Sequence, residues 1–126
     1  MPKVGKKSGQ AVNLRSKLDR IHETWKPQII AELNDAYVKL VKVKGEFVWH
    51  HHEREDELFL VLKGRLRIEL RDRPLDLREG ELAVIPSGVE HRPVAAEEAH
   101  VLLLEPKTTV NTGQVRGDRT VDAEWI

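Results

Sequence analysis

Short segments of alternating apolar and polar residues, separated by turn residues, most constrain what this chain can fold into. In Arg65–Leu70 the apolar Leu66, Ile68 and Leu70 alternate with charged side chains. This period of two places the apolar side chains on one face of a strand. Turn residues interrupt the pattern every eight to twelve residues. The spacing predicts an all-β sandwich or barrel rather than a parallel α/β sheet.

The pattern also gives approximate bounds for the secondary structure. Leu14, Leu18, Ile21 and Trp25 recur at helical spacing, so we expect a helix over Leu14–Thr24, capped by Asn13 or Ser16. Lys63-Gly64 is expected to reverse the chain between two strands. The predicted strands are Ile29–Leu33, Tyr37–Val43, Glu46–His52, Leu58–Leu62, Arg65–Leu70, Leu75–Leu77, Leu82–Ile85, His91–Val94 and Ala99–Glu105.

The length and the distribution of charge bear on domains and partners. The 126 residues suffice for one core, and we divide them into a basic tail (residues 1–12) and a single domain (residues 13–126). Residues 1–44 carry ten Lys/Arg against four Asp/Glu, but without a nucleic-acid motif, so no nucleic-acid partner is predicted. The sequence contains no apolar run long enough to span a membrane, shows no secretory signal and contains no cysteine. We therefore expect the protein in the cytoplasm.

Three consecutive histidines are the most informative motif for chemistry. On a strand, His50 and His52 point to one face and His51 to the other. Two imidazoles on one face form a chelating pair for a divalent metal. Glu57 follows after a short turn, and His91 follows a Pro-Ser-Gly turn much later. Taken alone, the histidine run is more often a solvated strand face than a metal site.

The wider spacing resembles the two sequence motifs of the cupin family, and in particular small cupins of the kind often labelled mannose-6-phosphate isomerase-like. The resemblance covers roughly residues 29–105. It departs at Gly45, one position nearer the first histidine than usual, and at Ala95, where asparagine is common. The matching residues are His50, His52, Glu57 and Gly64, then Gly80, Pro86, Gly88 and His91.

This resemblance implies the cupin double-stranded β-helix, a jelly-roll-like antiparallel barrel, here with a short N-terminal helix. It also implies one divalent transition metal per chain, either Mn, Fe, Ni, Co or Zn, because nitrogen and oxygen ligands without sulfur suit these ions. The implied metal ligands are His50, His52, Glu57 and His91.

Two further residues are candidates for the surroundings of the metal. Strand parity places Phe59 in register with Glu57, so we predict that Phe59 lines a substrate pocket. The same parity puts Phe47 and Trp49 on the face of His51, away from that pocket. His100 is a candidate donor beside the metal ligands, with a plain core or interface histidine as the alternative.

Two functions from different classes agree with these features. The first is a metal-dependent enzyme acting on a small organic molecule, of isomerase, lyase or dioxygenase type. The second is a non-catalytic, metal-dependent binding or storage protein, since a fold does not decide function. The apolar C-terminal Trp125-Ile126 and the opposite charges of the N-terminal arm and the middle of the chain favour a homodimer.

Overall fold

The computed structural model describes residues 9–126, so most of the predicted basic tail lies outside the described residues. One short helix precedes eight strands, which confirms the predicted all-β class. The elements are α1 (Leu14–Leu18), β1 (Gln28–Leu33), β2 (Ala36–Glu46), β3 (Glu57–Lys63), β4 (Leu66–Leu70), β5 (Pro74–Leu77), β6 (Leu82–Ile85), β7 (His91–Pro106) and β8 (Glu124–Trp125). Within the described part of the chain, no helix is long and apolar enough to cross a membrane.

The long strand β7 organises the sheet. It replaces the two strands predicted over this part of the chain, and it pairs antiparallel with β2 along one edge. Its other edge is shared by β3 and β4, while β6 adds to β3 and β5 adds to β4. On the far side of β2 lies β1, followed by β8 in the one parallel pairing of the described strands. The hydrogen bonding of these strands does not close the sheet.

The predicted chain reversal at Lys63-Gly64 is wrong. β3 and β4 both run antiparallel to β7 and follow one another along the same edge, so the chain continues in one direction through Gly64. Gly64 has a φ of 84°, and a Cβ there would lie 3.2 Å from the Cβ of Ala99. Glycine is therefore required by the close approach to β7, not by a hairpin.

Strand parity separates two apolar clusters. Side chains such as Val41, Val61 and Val101 point to one face of the sheet and form the larger core. Leu40 and Leu102 point to the other face, where residues near α1 cover them. The larger core surrounds the site described below, so its packing determines where the polar side chains of that face lie.

The helix is shorter than its apolar periodicity indicates. It ends at Leu18, with the side chain of Asn13 accepting a hydrogen bond from the Ser16 amide at 2.9 Å. Ile21 joins the smaller cluster together with Leu14 and Leu18, whereas Trp25 packs against the larger core. The Trp25 amide donates to a carbonyl of β2 at 2.8 Å. Pairing with the sheet therefore replaces the last helical turns, a tertiary contact that the sequence does not show.

The C-terminal apolar residues are covered by the chain itself. Trp125 pairs with Ile29 and contacts the edge of the Tyr37 ring at a centroid distance of 5.7 Å. Ile126 packs against the smaller cluster, and its amide donates to the Ile29 carbonyl at 3.1 Å. The prediction of a dimer depended in part on Trp125 and Ile126 needing a second subunit to cover them. Their contacts within the chain remove that part of the argument.

Candidate metal centre

A bulge at the end of β2 shapes the segment that carries the histidines. The Phe47 amide donates to the Pro93 carbonyl at 2.9 Å, and the backbones of His50 and His91 exchange hydrogen bonds of 3.0 and 2.9 Å. Phe47 and His50 are three residues apart, whereas their partners on β7, Pro93 and His91, are only two residues apart. One extra residue on one of two paired strands is a β-bulge. The predicted strand Glu46–His52 is therefore interrupted, and residues before and after the bulge keep different parity.

The structure brings together the four predicted ligand residues. His50 and His52 are buried on one side of their segment, while His51 is only half-buried. Glu57 enters from the first position of β3 and His91 from the first position of β7. One potential ligand atom from each of the four buried side chains lies within 4.8 Å of all the others. Donor atoms this close can bind a single ion.

Backbone carbonyls orient two of the imidazoles. Nδ1 of His50 lies 2.9 Å from the Val48 carbonyl oxygen, and Nδ1 of His91 lies 2.9 Å from the Val89 carbonyl oxygen. A carbonyl oxygen only accepts, so each Nδ1 carries a hydrogen, which leaves Nε2 as the ring nitrogen available to a metal. Such hydrogen bonds are the usual way in which proteins orient metal-binding histidines.

The surroundings of His50 and Glu57 shift the pKa of each group toward the protonation state that a metal needs. Burial, followed by the neighbouring His91, lowers the pKa of His50 to about 4, so this imidazole is neutral near pH 7. Burial alone would raise the pKa of Glu57, but its contacts with His52 and His91 hold that pKa well below the usual value. Three imidazoles thus surround an ionised carboxylate.

The donor set fits a divalent transition metal. Nε2 of both His52 and His91 lies 3.3 Å from Oε1 of Glu57. The buried Nε2 of His52 nevertheless makes no hydrogen bond. Buried polar atoms are nearly always paired, so this orphaned nitrogen points to a partner such as a metal ion. Three nitrogens and a carboxylate oxygen suit Mn, Fe, Co, Ni or Zn.

Comparison with known proteins agrees with this arrangement. Residues 37–105 match the family model described as a cupin domain. The chain belongs to the cupin family. The match begins in β2 and ends in β7, and it therefore contains all four residues of the candidate metal centre.

Similar proteins include two of known structure. A cupin-2 domain containing protein from Shewanella frigidimarina is 48% identical, with a TM-score of 0.74 over 75% of this chain and 93% of that one. A Neisseria meningitidis protein is 33% identical, with a TM-score of 0.71 over 77% and 99%. The uncharacterized protein YdbB of Bacillus subtilis is 44% identical over 50% of this chain, and the match spans 57% of YdbB.

An apolar cavity opens beside the metal centre of this cupin. The cavity opens to solvent, and both His50 and Glu57 line it. Phe59 lines the cavity as well, where parity placed it. Phe47 and Trp25 line it too, with their rings stacked at a centroid distance of 4.8 Å. The prediction that Phe47 points away from the pocket is therefore wrong, because the bulge shifts Phe47 onto the side of His50.

His100 does not reach the metal centre. It lies on the even-numbered face of β7, opposite the face of Val101, and it lines a separate groove beside α1. Its Nε2 contacts Oε2 of Glu98 at 3.1 Å. The expectation that His100 assists the metal ligands is not supported, because that face of β7 points away from the cavity.

Glu105 is a residue of the cavity that the sequence reasoning missed. It lies on β7 in the same parity as Val101, and its Oε2 accepts from Nζ of Lys39 at 2.7 Å. Burial, and then the nearby carboxylate of Glu57, raises the pKa of Glu105 well above its usual value, although Lys39 opposes this. The sequence did carry a signal for this residue, because Glu105 is a charged residue at an inward position of an otherwise apolar strand.

Residues beyond the cupin match hold the histidine segment in place. The His51 amide donates to Oε1 of Gln114 at 2.8 Å, and the Gln114 amide donates to the His51 carbonyl at 3.3 Å. Gly113 has a φ of 58°, and a Cβ there would collide with that carbonyl and lie 3.2 Å from the His50 ring. We call residues 111–114 the C-terminal strap. No motif in the sequence indicates this contact.

Proposed function

We propose that this cupin binds one divalent transition metal through His50, His52, Glu57 and His91, and that it is an enzyme acting on a small organic molecule. The observation that carries the proposal is the position of four buried donor residues beside an apolar cavity. Clefts of this kind, with few polar groups and perturbed pKa values, are typical of active sites.

The bound metal would supply Lewis-acid activation of a substrate oxygen, or dioxygen chemistry if the metal is iron. The protein supplies the surroundings. The carbonyls of Val48 and Val89 orient the imidazoles of His50 and His91, and the aromatic residues Trp25, Phe47 and Phe59 give the cavity apolar walls. A metal of this kind beside an apolar cavity supports an isomerase, lyase or dioxygenase type of reaction.

Metal analysis is the direct test. Untagged protein should be purified without added metal, and its metal content measured per chain before and after titration with Mn²⁺, Fe²⁺, Co²⁺, Ni²⁺ and Zn²⁺. We expect one ion per chain. Iron in the purified protein would favour dioxygenase chemistry, and manganese or zinc would favour isomerase or lyase chemistry. A site that takes up none of the five metals would contradict the proposal.

Turnover separates the enzyme from the alternative, a metal-dependent binding or storage protein. Metal-loaded protein that binds small molecules but converts none of a panel of hydroxy and carbonyl compounds would favour the alternative. The cavity contains one carboxyl group outside the metal cluster, Glu105, and this is the available acid or base among its described lining residues.

We further propose a homodimer in the cytoplasm, without nucleic acid or membrane as partner. The outer face of β3, β6 and β7 carries aligned aliphatic residues: Leu60 pairs with Leu82 and Leu102, and Leu58 pairs with Val84 and Leu104. Leu82 and Val84 are largely exposed. A second copy of the chain would cover this aliphatic face and protect the edge strand β6.

A further inference from the structure

Arg119 lies over two aromatic residues of the cavity wall. Its Cζ is 5.4 Å from the centroid of the Phe47 ring and 6.0 Å from that of the Trp25 ring, and both rings line the cavity. The Phe47 ring in turn contacts the His50 ring at a centroid distance of 5.6 Å. Because Arg119 is exposed, its guanidinium lies at the rim of the cavity, one aromatic ring away from a candidate metal ligand.

Hydrogen bonds fix Arg119 at this rim. Its Nη2 donates to the Glu46 carbonyl at 2.9 Å, and its own carbonyl accepts from the side-chain amide of Asn111 at 2.8 Å. Asn111 lines the cavity and also accepts from the Val121 amide at 3.0 Å. The chain around Arg119 is thus bound to the cavity wall, and a side chain positioned in this way loses little freedom when it binds a ligand.

The guanidinium of Arg119 keeps donors for a ligand. An arginine side chain carries five N–H donors. Among the residues that the structure describes, that of Arg119 makes one hydrogen bond and no ion pair. Arg71 and Arg92 differ in this respect, because they are paired with the carboxylates of Glu90 and Glu69. Arg119 is therefore available to an anionic group that enters the cavity.

Charge inside the cavity favours the same class of ligand once a metal is bound. Imidazoles bind a metal in their neutral form, so a divalent ion that has Glu57 as its one charged ligand keeps a net positive charge. Any negative charge on Glu105 is offset by Lys39, whose Nζ is 2.7 Å away. An anionic ligand would therefore meet positive charge at the metal and again at the rim.

We propose that Arg119 binds the carboxylate of a small organic acid whose other end places an oxygen atom at the metal centre. The planar guanidinium matches the geometry and the single charge of a carboxylate. The rings of Phe47 and Trp25 would pack against the hydrocarbon chain between the two ends. The inference rests on the proposed metal-dependent function and names its substrate class.

The test compares diacids with their monoamides on protein loaded with Zn²⁺, which has no redox chemistry of its own. Glutarate, adipate and pimelate differ in chain length, and each monoamide keeps one carboxylate for the metal while it replaces the other by a neutral group of the same shape. Isothermal titration should show the best diacid binding about tenfold more tightly than its monoamide, because hydrogen bonds between charged groups contribute on this scale.

Variants of two arginines in the same segment assign that preference. Arg119→Met should remove most of the preference for the diacid and leave the affinity for the monoamide unchanged. Arg116→Met removes the same charge from another exposed position and should keep the full preference. Should Arg119→Met fold poorly, Arg119→Lys keeps the charge without the planar fork and should show a reduced preference.

Zinc stoichiometry separates the possible failures. If wild-type protein binds no zinc, the proposed function fails and this inference with it. If zinc binds but no diacid is preferred over its monoamide, or if both arginine variants lose the preference equally, only the assignment of Arg119 is overturned. Equal weakening of diacid and monoamide in Arg119→Met would overturn it too, because the arginine would then merely support the wall.

Discussion

At the scale of single residues, neighbours in the sequence have different roles because the backbone points them to different sides. His50 and His52 face the metal centre, and His51 lies between them with its backbone bound by Gln114. The carbonyls of Val48 and Val89 then determine which ring nitrogen is free. A histidine is therefore identified as a candidate ligand by the side of the backbone on which its ring lies, and not by residue type alone.

Alanine substitution of the adjacent histidines tests this distinction. His52→Ala should lose most of the bound metal, since it removes one of four donors, whereas His51→Ala should keep about one ion per chain because its backbone contacts remain. Metal content per chain, measured on both variants purified in parallel, provides the comparison. Equal loss in the two variants would show that the assignment of ligands by face is wrong.

At the scale of elements, the C-terminal strap stabilises a segment that the sheet alone does not hold. The bulge after β2 leaves His51 outside regular pairing, and Gln114 satisfies both its amide and its carbonyl. Gly113 allows this close approach through its φ of 58° and its missing side chain. An irregular segment next to a site needs such support, because unpaired backbone groups are costly when buried.

Two glycines in the same part of the chain make a matched pair for testing the strap. Gly113→Ala should destabilise the fold by about 1–3 kcal/mol and weaken metal binding, because the new Cβ collides with the His51 carbonyl at a positive φ. Gly117→Ala should change neither, since a Cβ there meets nothing within 4 Å. Thermal unfolding and metal titration measure both effects. Unaltered metal affinity in Gly113→Ala would show that the strap does not position the histidines.

At the scale of the whole molecule, we expect the apolar core and the proposed metal to contribute separately to stability. The core around Val41, Val61 and Val101 consists of aliphatic and aromatic side chains, and it does not depend on an ion. The metal would bind the folded state alone, and so would add stability through mass action. This differs from a small zinc domain, in which the metal provides most of the folding free energy.

Chelation tests this separation. Removing the metal should lower the melting temperature without unfolding the chain at room temperature. The lost stabilisation is about 2.7 kcal/mol if free metal stands at 100 times its Kd. Far-ultraviolet circular dichroism and a thermal melt, each recorded with and without chelator, measure both quantities. Loss of the β-sheet spectrum at 25 °C after chelation would mean that the core depends on the metal.

The assembly is a second property of the whole molecule. Leu82→Lys introduces charge into the aliphatic face of β3, β6 and β7 and should convert the proposed dimer into monomers. Leu33→Lys is the control: Leu33 is 59% exposed, close to the 56% of Leu82, but it lies at the end of β1. Light scattering at micromolar concentration gives the masses. A monomeric wild-type protein, or equal dissociation by both variants, would contradict the proposed interface.

The sequence by itself determined the class of the fold and, through its resemblance to the cupin motifs, the members of the candidate metal cluster. Alternation with a period of two is a local consequence of strand geometry, so it shows which side chains share a face within one regular strand. The spacing of His50, His52, Glu57 and His91 is conveyed by the order of the residues, and the structure brings these four together.

Tertiary structure decided what depends on contacts between distant segments. The bulge that turns Phe47 toward the cavity follows from pairing with Pro93, and the continuation of the chain through Gly64 follows from the shared edge of β7. Glu105 meets Lys39 and Glu57 only when three strands lie side by side. Such contacts join residues far apart along the chain, so local periodicity does not encode them, and only the folded sheet determines which residues surround the metal centre.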